Sequence, residues 1–189
     1  MCPMTNLLEI NPVTGLLEPV NYQPSPHHDE RPPSIFIDMI VIHGISLPPG
    51  EFGSTAIRDF FCGEMDFNSH PSFAEIAALR VSAHLLIRRT GEIIQFVPFT
   101  KRAWHAGESI FQGKTRCNDF SIGIELEGTD YLAYEQIQYQ QLNKVISLLK
   151  RAYPEITEDR IVGHVDIAPE RKTDPGPSFE WNFIEGKLA

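Results

Sequence analysis

Cysteine is scarce: Cys2, Cys62 and Cys117 are the three in 189 residues, and no Cys-x-x-Cys pair occurs. That usage excludes a disulfide framework and a thiolate metal site, and leaves three small residues expected to be buried or half-buried. Basic charge is also short, with 16 Lys and Arg against 25 Asp and Glu and a formal charge of -9 with neutral His. Such a surface lacks the cations whose counterion release drives binding to phosphates, so neither nucleic acid nor membrane is expected as a partner. Apolar runs are brief. The stretch Ile35 to Ile45 is broken by Asp38 and His43, and nothing approaches the ~18 uninterrupted apolar residues of a spanning helix. The opening thirty residues show no basic start followed by an apolar stretch, so no secretory signal is visible and a cytoplasmic location is expected. Internal repeats, a Gly-x-Ser-x-Gly elbow and a His-Glu-x-x-His helix are missing as well. GESIFQGKT, Gly107 to Thr115, ends like a phosphate loop but sets five residues between its glycines where that loop has four.

What is present reads as one α/β domain with an N-terminal arm. A hydrophobic content of 42% with 13 Gly is that of an ordinary globular chain. Residues 1–33 carry seven prolines, which block helix and central strand alike, so they are expected to form an irregular arm packed on a domain spanning 34–189. IFIDMIVI, Ile35 to Ile42, is β-branched and almost continuously apolar, the pattern of a central strand covered on both faces. Short helices are predicted after Ser54 and after Ser72, the second with a capping box between Ser72 and Glu75. Ser82 to Arg88 and Glu92 to Pro98 flank Arg89-Thr90-Gly91 as a hairpin. SIGIELE, Ser121 to Glu127, alternates so that one face is buried and the other presents carboxylates. Glu135 to Tyr153 carries one apolar helical stripe. A short strand at Arg160 to Gly163, a Pro-rich loop and a brief terminal helix around Phe179 to Ile184 complete the reading.

Of seven histidines, His27 and His28 in the arm are expected to face solvent, His70 lies in a loop, and His84 reads as a satisfied core or surface residue. His43 closes the most hydrophobic strand, and His164 repeats that arrangement after Ile161-Val162-Gly163. Ends of buried strands are where open α/β sheets assemble their sites. Asp174 follows ten residues later, in a loop stiffened by Pro175-Gly176-Pro177. Two imidazoles and one carboxylate form a three-ligand set that leaves a fourth zinc position open, as in catalytic sites. The alternative is two unrelated strand-end histidines.

Three stretches carry a resemblance: IVIHGISLPPGEFG (Ile40 to Gly53), RAWHAGESIFQGKTRCNDFSIGIELEGTD (Arg102 to Asp130) and GHVDIAPERKTDPGP (Gly163 to Pro177), joined by SPHHDERP (Ser25 to Pro32) in the arm. They resemble the cytoplasmic zinc amidases that recycle cell-wall muropeptides, a family related to phage amidase lysozymes and peptidoglycan recognition proteins. The resemblance implies a mixed central β-sheet flanked by helices, with His43, His164 and Asp174 as ligands to Zn2+. It also implies an anhydromuropeptide substrate, cut between the lactyl group of 1,6-anhydro-N-acetylmuramic acid and L-alanine, by a monomer. Glu125 and Lys172 match its two catalytic positions, Glu125 as the proton carrier and Lys172 as oxyanion stabiliser or leaving-group acid. Spacing alone does not choose between Glu125 and Glu127, two residues apart on one strand face; the resemblance picks Glu125. Trp104 and His105 suit a wall that stacks on a sugar, with a core-edge plug as the alternative for Trp104. Arg116, and less so Lys114, suits a grip on stem-peptide carboxylates. Gly44 stands where relatives carry Asn, so a polar substrate contact is expected to be missing there. A non-catalytic muropeptide-binding module and a secreted amidase are the rival readings, opposed by the retained ligand set and by the lack of a signal segment.

Overall fold

The computed structural model describes residues 7–186, and Cys2 lies outside them. The proline-dense opening, expected to be irregular, contributes four short strands: β1 (Glu9–Ile10), β2 (Leu17–Glu18), β3 (Asn21–Tyr22) and β4 (His28–Glu30). Proline keeps each to two or three residues because it lacks the ladder N–H and restricts its predecessor. The central strand β5 is Met39–Ile45. It was predicted from Ile35, but Asp38 is held by Arg160 and Lys114 and Phe36 is exposed. The ladder therefore starts after Asp38 and runs through Gly44 to Ile45.

Helix α1 (Ala56–Cys62) ends on the left-handed Gly63. The second predicted helix is a 3-10 stretch, Pro71–Ile76, without the expected capping box. Pro71 moves its start earlier, and the His70 ring, not Ser72, caps it by accepting from the Ser72 N–H at 3.2 Å. β6 (Leu85–Ile87) and β7 (Ile93–Gln95) form the predicted hairpin, with Gly91 at φ 84° in its turn. β8 (Lys101–Ala103) pairs with β4, and β9 (Ile110–Phe111) with β10 (Lys114–Thr115). β11 (Ser121–Glu127), α2 (Gln136–Ala152), β12 (Ile161–Gly163) and α3 (His164–Ile167) follow, then a 3-10 turn, Trp181–Phe183, where a terminal helix was expected.

Six strands make one mixed sheet in the order β12, β5, β11, β6, β7, β3. The first four are mutually parallel, so their carboxyl ends share one edge; β7 runs antiparallel to β6, and the arm's β3 closes the far margin on β7. On one face Ile40, Ile42, Ile122, Ile124 and Leu126 meet Leu142, Val145, Ile146 and Leu149 of α2, each buried side chain contributing roughly 1.5–3 kcal/mol. The other face splits into two clusters, Leu86, Ile94 and Phe96 under Ile57, Phe60 and Phe61 of α1, and Met39 and Val41 with Ala106 and Phe120. Both faces being covered, all seven residues of β11 are buried, the face that presents carboxylates included.

Candidate active site

Parallel pairing of β5 and β11 sets His43 directly opposite Glu125, and the strand period puts both on the face away from α2. His164 opens α3 as the chain leaves β12. Asp174 is brought back to it by its own backbone, whose carbonyl accepts from the Val165 N–H at 3.0 Å. Three segments distant in sequence thus converge. His43 Nδ1 lies 3.0 Å from His164 Nδ1 and 3.1 Å from Asp174 Oδ2, and His164 Nδ1 lies 3.1 Å from that same oxygen. The two strand-end histidines are therefore not unrelated.

Burial sets the charges here. It pushes the His43 imidazole down to about 4, against the opposing pull of Asp174, so the ring is a neutral donor near pH 7. Burial would raise the Asp174 carboxyl, but the facing His164 and His43 rings outweigh it and hold it well below the ordinary carboxylate range. The Glu125 carboxyl goes the other way, pushed well above its ordinary value by burial and then by Asp174, with Lys172 opposing. Its Oε2 is buried with no hydrogen-bond partner among the described residues. Lys172 is half-buried, on the turn whose backbone N–H bonds the Ala168 carbonyl at 2.9 Å.

The donor set fits a small divalent cation. One carboxylate and two imidazoles bring three donor atoms together at the separations that metal–ligand bonds of about 2.0–2.2 Å can bridge. The orphaned Oε2 beside them lacks the partner a metal-site water would provide. Glu127 is committed elsewhere: it accepts from the Gly53 N–H at 2.8 Å and the Arg89 N–H at 3.1 Å, and pairs with Arg88. Protein donors thus take up the Glu127 carboxylate, whereas Glu125 Oε2 has no such partner among the described residues.

The expected substrate contacts are scattered. Trp104 is half-buried, its indole N–H donating to Asp29 at 3.2 Å and its ring stacked on His27 at 6.2 Å. His105 does not line an open wall. It is buried, with Nδ1 2.9 Å from His43 Nε2 and Nε2 3.1 Å from Ser121 Oγ, so neither ring nitrogen is left for a ligand. Arg116 is exposed and pairs with Asp119, and Lys114 pairs with Asp38. At Gly44 a Cβ would stand 2.3 Å from the Tyr134 hydroxyl, which donates to the Pro175 carbonyl at 2.9 Å. His27 and His28 are half-buried rather than solvent-facing, drawn in by the Val81 and Ser25 carbonyls. His84 is the satisfied core residue expected, accepting from the Gly123 N–H. Ser121, Gly123 and Tyr134 escaped the sequence reading, since nothing in their local pattern tells where a distant ring will lie.

Comparison with known proteins identifies the family of the chain. Residues 31–177 match the family model of N-acetylmuramoyl-L-alanine amidase. A relative from Escherichia coli (strain K12), "1,6-anhydro-N-acetylmuramyl-L-alanine amidase AmpD", is 63% identical over 84% of this chain and 86% of its own. A crystal structure of a selenomethionine AmpD derivative shares 60% identity, covering 90% of this chain and 95% of that one, at a TM-score of 0.88. The E. coli amidase AmiD, solved with the substrate anhydro-N-acetylmuramic acid-L-Ala-D-gamma-Glu-L-Lys, shares 32% identity over 82% of this chain and 59% of that one, at a TM-score of 0.58. This chain belongs to the N-acetylmuramoyl-L-alanine amidase family and groups within it with the AmpD amidases.

Proposed function

We propose that this amidase is zinc-dependent and hydrolyses the amide between the lactyl group of 1,6-anhydro-N-acetylmuramic acid and L-alanine in recycled muropeptides. The observation that carries the reading is the convergence of His43, His164 and Asp174 beside a buried carboxylate with an unpartnered oxygen. Zinc held by those three would supply a Lewis acid for the scissile carbonyl and make the attacking water nucleophilic near neutral pH. Glu125 takes the water's proton and passes it to the departing L-alanine nitrogen; its raised pKa suits a group that must hold that proton between the two transfers. Lys172 supplies positive charge where the oxyanion builds up, or serves as the acid for the leaving amine. Trp104 offers ring surface to the sugar, and Arg116, exposed at the rim, meets the carboxylates of the stem peptide. The substrate class is supported by the printed names of the AmpD relatives and by the ligand in the AmiD structure.

We propose that it acts in the cytoplasm, as a monomer; no helix among the described residues is long and apolar enough to cross a membrane. Metal content by mass spectrometry, with release of L-alanine-linked peptide from anhydromuropeptide before and after chelation, tests the reading. Asp174→Ala is expected to lose zinc and turnover together, and Glu125→Ala to keep zinc while turnover falls at least about 100-fold. Zinc held at wild-type affinity by Asp174→Ala would remove that residue from the ligand set. Equal rates on anhydro and non-anhydro muropeptides would remove the sugar specificity.

A further inference from the structure

His43 and His164 differ in how the ring nitrogen turned away from Asp174 is anchored. His164 Nε2 lies 3.2 Å from the Ala106 carbonyl. A carbonyl oxygen only accepts, so the neutral ring carries its proton on Nε2 and leaves Nδ1 a lone pair. His43 has no carbonyl at that place. Its Nε2 lies 2.9 Å from His105 Nδ1, His105 Nε2 lies 3.1 Å from Ser121 Oγ, and Ser121 Oγ lies 2.6 Å from the Cys117 carbonyl.

We infer that His105 and Ser121 are positioning residues: they relay the acceptor character of the Cys117 carbonyl to His43 and so hold its Nδ1 as a lone pair aimed at the metal. The inference rests on the zinc reading above. A chain of one hydroxyl and two neutral imidazoles has only two self-consistent proton orders. In the first, Ser121 donates to the Cys117 carbonyl, His105 Nε2–H donates to Ser121, and His43 Nε2–H donates to His105 Nδ1. In the second every proton is reversed, and His43 Nδ1 carries one. Asp174 Oδ2, 3.1 Å from that nitrogen, favours the second order. It would, however, leave two oxygens without a proton between them 2.6 Å apart at Ser121 and Cys117, and that close contact decides for the first.

The slot for the His105 ring is built by a glycine. A Cβ at position 123 would stand 2.3 Å from His105 Cγ and 2.6 Å from its Nδ1, so only glycine on β11 lets the ring lie across the strand between His43 and Ser121. This accounts for a glycine in the middle of a fully buried strand, where it otherwise costs packing and entropy.

Long-range 1H–15N correlation spectra of the metal-free protein read the proton order directly, and zinc titration against a chromophoric chelator reads its consequence. Both His43 and His105 are expected to be protonated on Nε2. His105→Phe, which removes the acceptor, is expected to weaken zinc binding about 10–100-fold, and Ser121→Ala about 10-fold, while His105→Asn, whose side-chain oxygen can accept in place of Nδ1, restores affinity to within about 3-fold of wild type. His105 protonated on Nδ1 in the wild-type protein, or zinc binding within about 3-fold of wild type by a folded His105→Phe, would overturn the relay. Should His105→Phe fail to fold, the wild-type spectrum still decides. The spectrum judges the proton order without metal, so a wild-type protein that took up no zinc would overturn the metal reading alone.

Discussion

Tyr134 shows how a single hydroxyl can explain an unusual neighbour. Its oxygen occupies the volume that a side chain at Gly44 would need and bonds the Pro175 carbonyl, next to Asp174. Burial raises its pKa, so it stays a donor across the working range. The tyrosine hydroxyl fills the space beside Gly44 and links the end of the His43 strand to the loop that carries Asp174. Gly44→Ala is therefore expected to destabilise the protein by about 1–3 kcal/mol through overpacking. The same change in a Tyr134→Phe background, where the blocking oxygen is gone, should cost less than about half of that. Urea midpoints of the four proteins in the cycle check this, and additive costs would mean that the two residues do not share the space. At this scale the sequence was informative where chemistry is concentrated in one residue type at a strand end, as for His43 and His164. It was silent where the role depends on what lies across the fold: His105 is a recognisable imidazole, but whether it faces a sugar or another ring is decided by the glycine at 123.

Elements are held to the site by ties that run outside the ladder. Arg31, just after β4, is half-buried, and its guanidinium donates to the carbonyls of Asn118, Asp119 and Ser121 at 2.9–3.1 Å and of Phe99 at 3.3 Å. Burial lowers its pKa to about 10, so it remains charged at neutral pH. These bonds pin the turn that leads into β11 and thereby the start of the strand that carries Ser121, Gly123 and Glu125. Arg31→Met is expected to cost about 3 kcal/mol, because several buried carbonyls lose a charged donor at once. Arg31→Lys should recover less than half of it, since an ammonium cannot reproduce the planar fork. A change in urea midpoint equivalent to under about 0.5 kcal/mol for Arg31→Met would mean that these bonds do not hold the turn. Strong periodicity made α2, the β6–β7 hairpin and β12 legible, since each is fixed by its own apolar pattern. The strands of the arm were not, because two-residue ladders exist only through their partners, as β4 does through β8. The start of β5 was missed for a related reason: Asp38 breaks the run by pairing with Arg160, 122 residues away.

Across the whole molecule, buried ionisable groups make stability depend on pH. Burial lowers His43 to about 4 and takes His84 and His105 well below 6.5, so all three are neutral in the folded state while the unfolded chain protonates them below 6.5. Their contribution is full above pH 6.5 and is lost as pH falls. Glu125 has the opposite sign: its raised pKa makes the folded state hold a proton that the unfolded chain releases above 4.5, so it favours folding less as pH rises. Asp174, whose pKa is lowered, matters only below its ordinary 3.8. Three histidines against one glutamate leave the unfolded state with the greater proton uptake between pH 6.5 and 5. The urea midpoint of the metal-free protein is expected to fall across that interval, and a midpoint that stayed level or rose would contradict the neutral burial of the three rings. The placement of the arm has one more outcome. The terminal strands of the six-stranded sheet, β3 with two residues and β12 with three, present no continuous row of free backbone donors and acceptors, and Pro19 and Pro24 bracket the first. A neighbouring molecule in a crowded solution finds no template there to extend, which disfavours growth into cross-strand fibres.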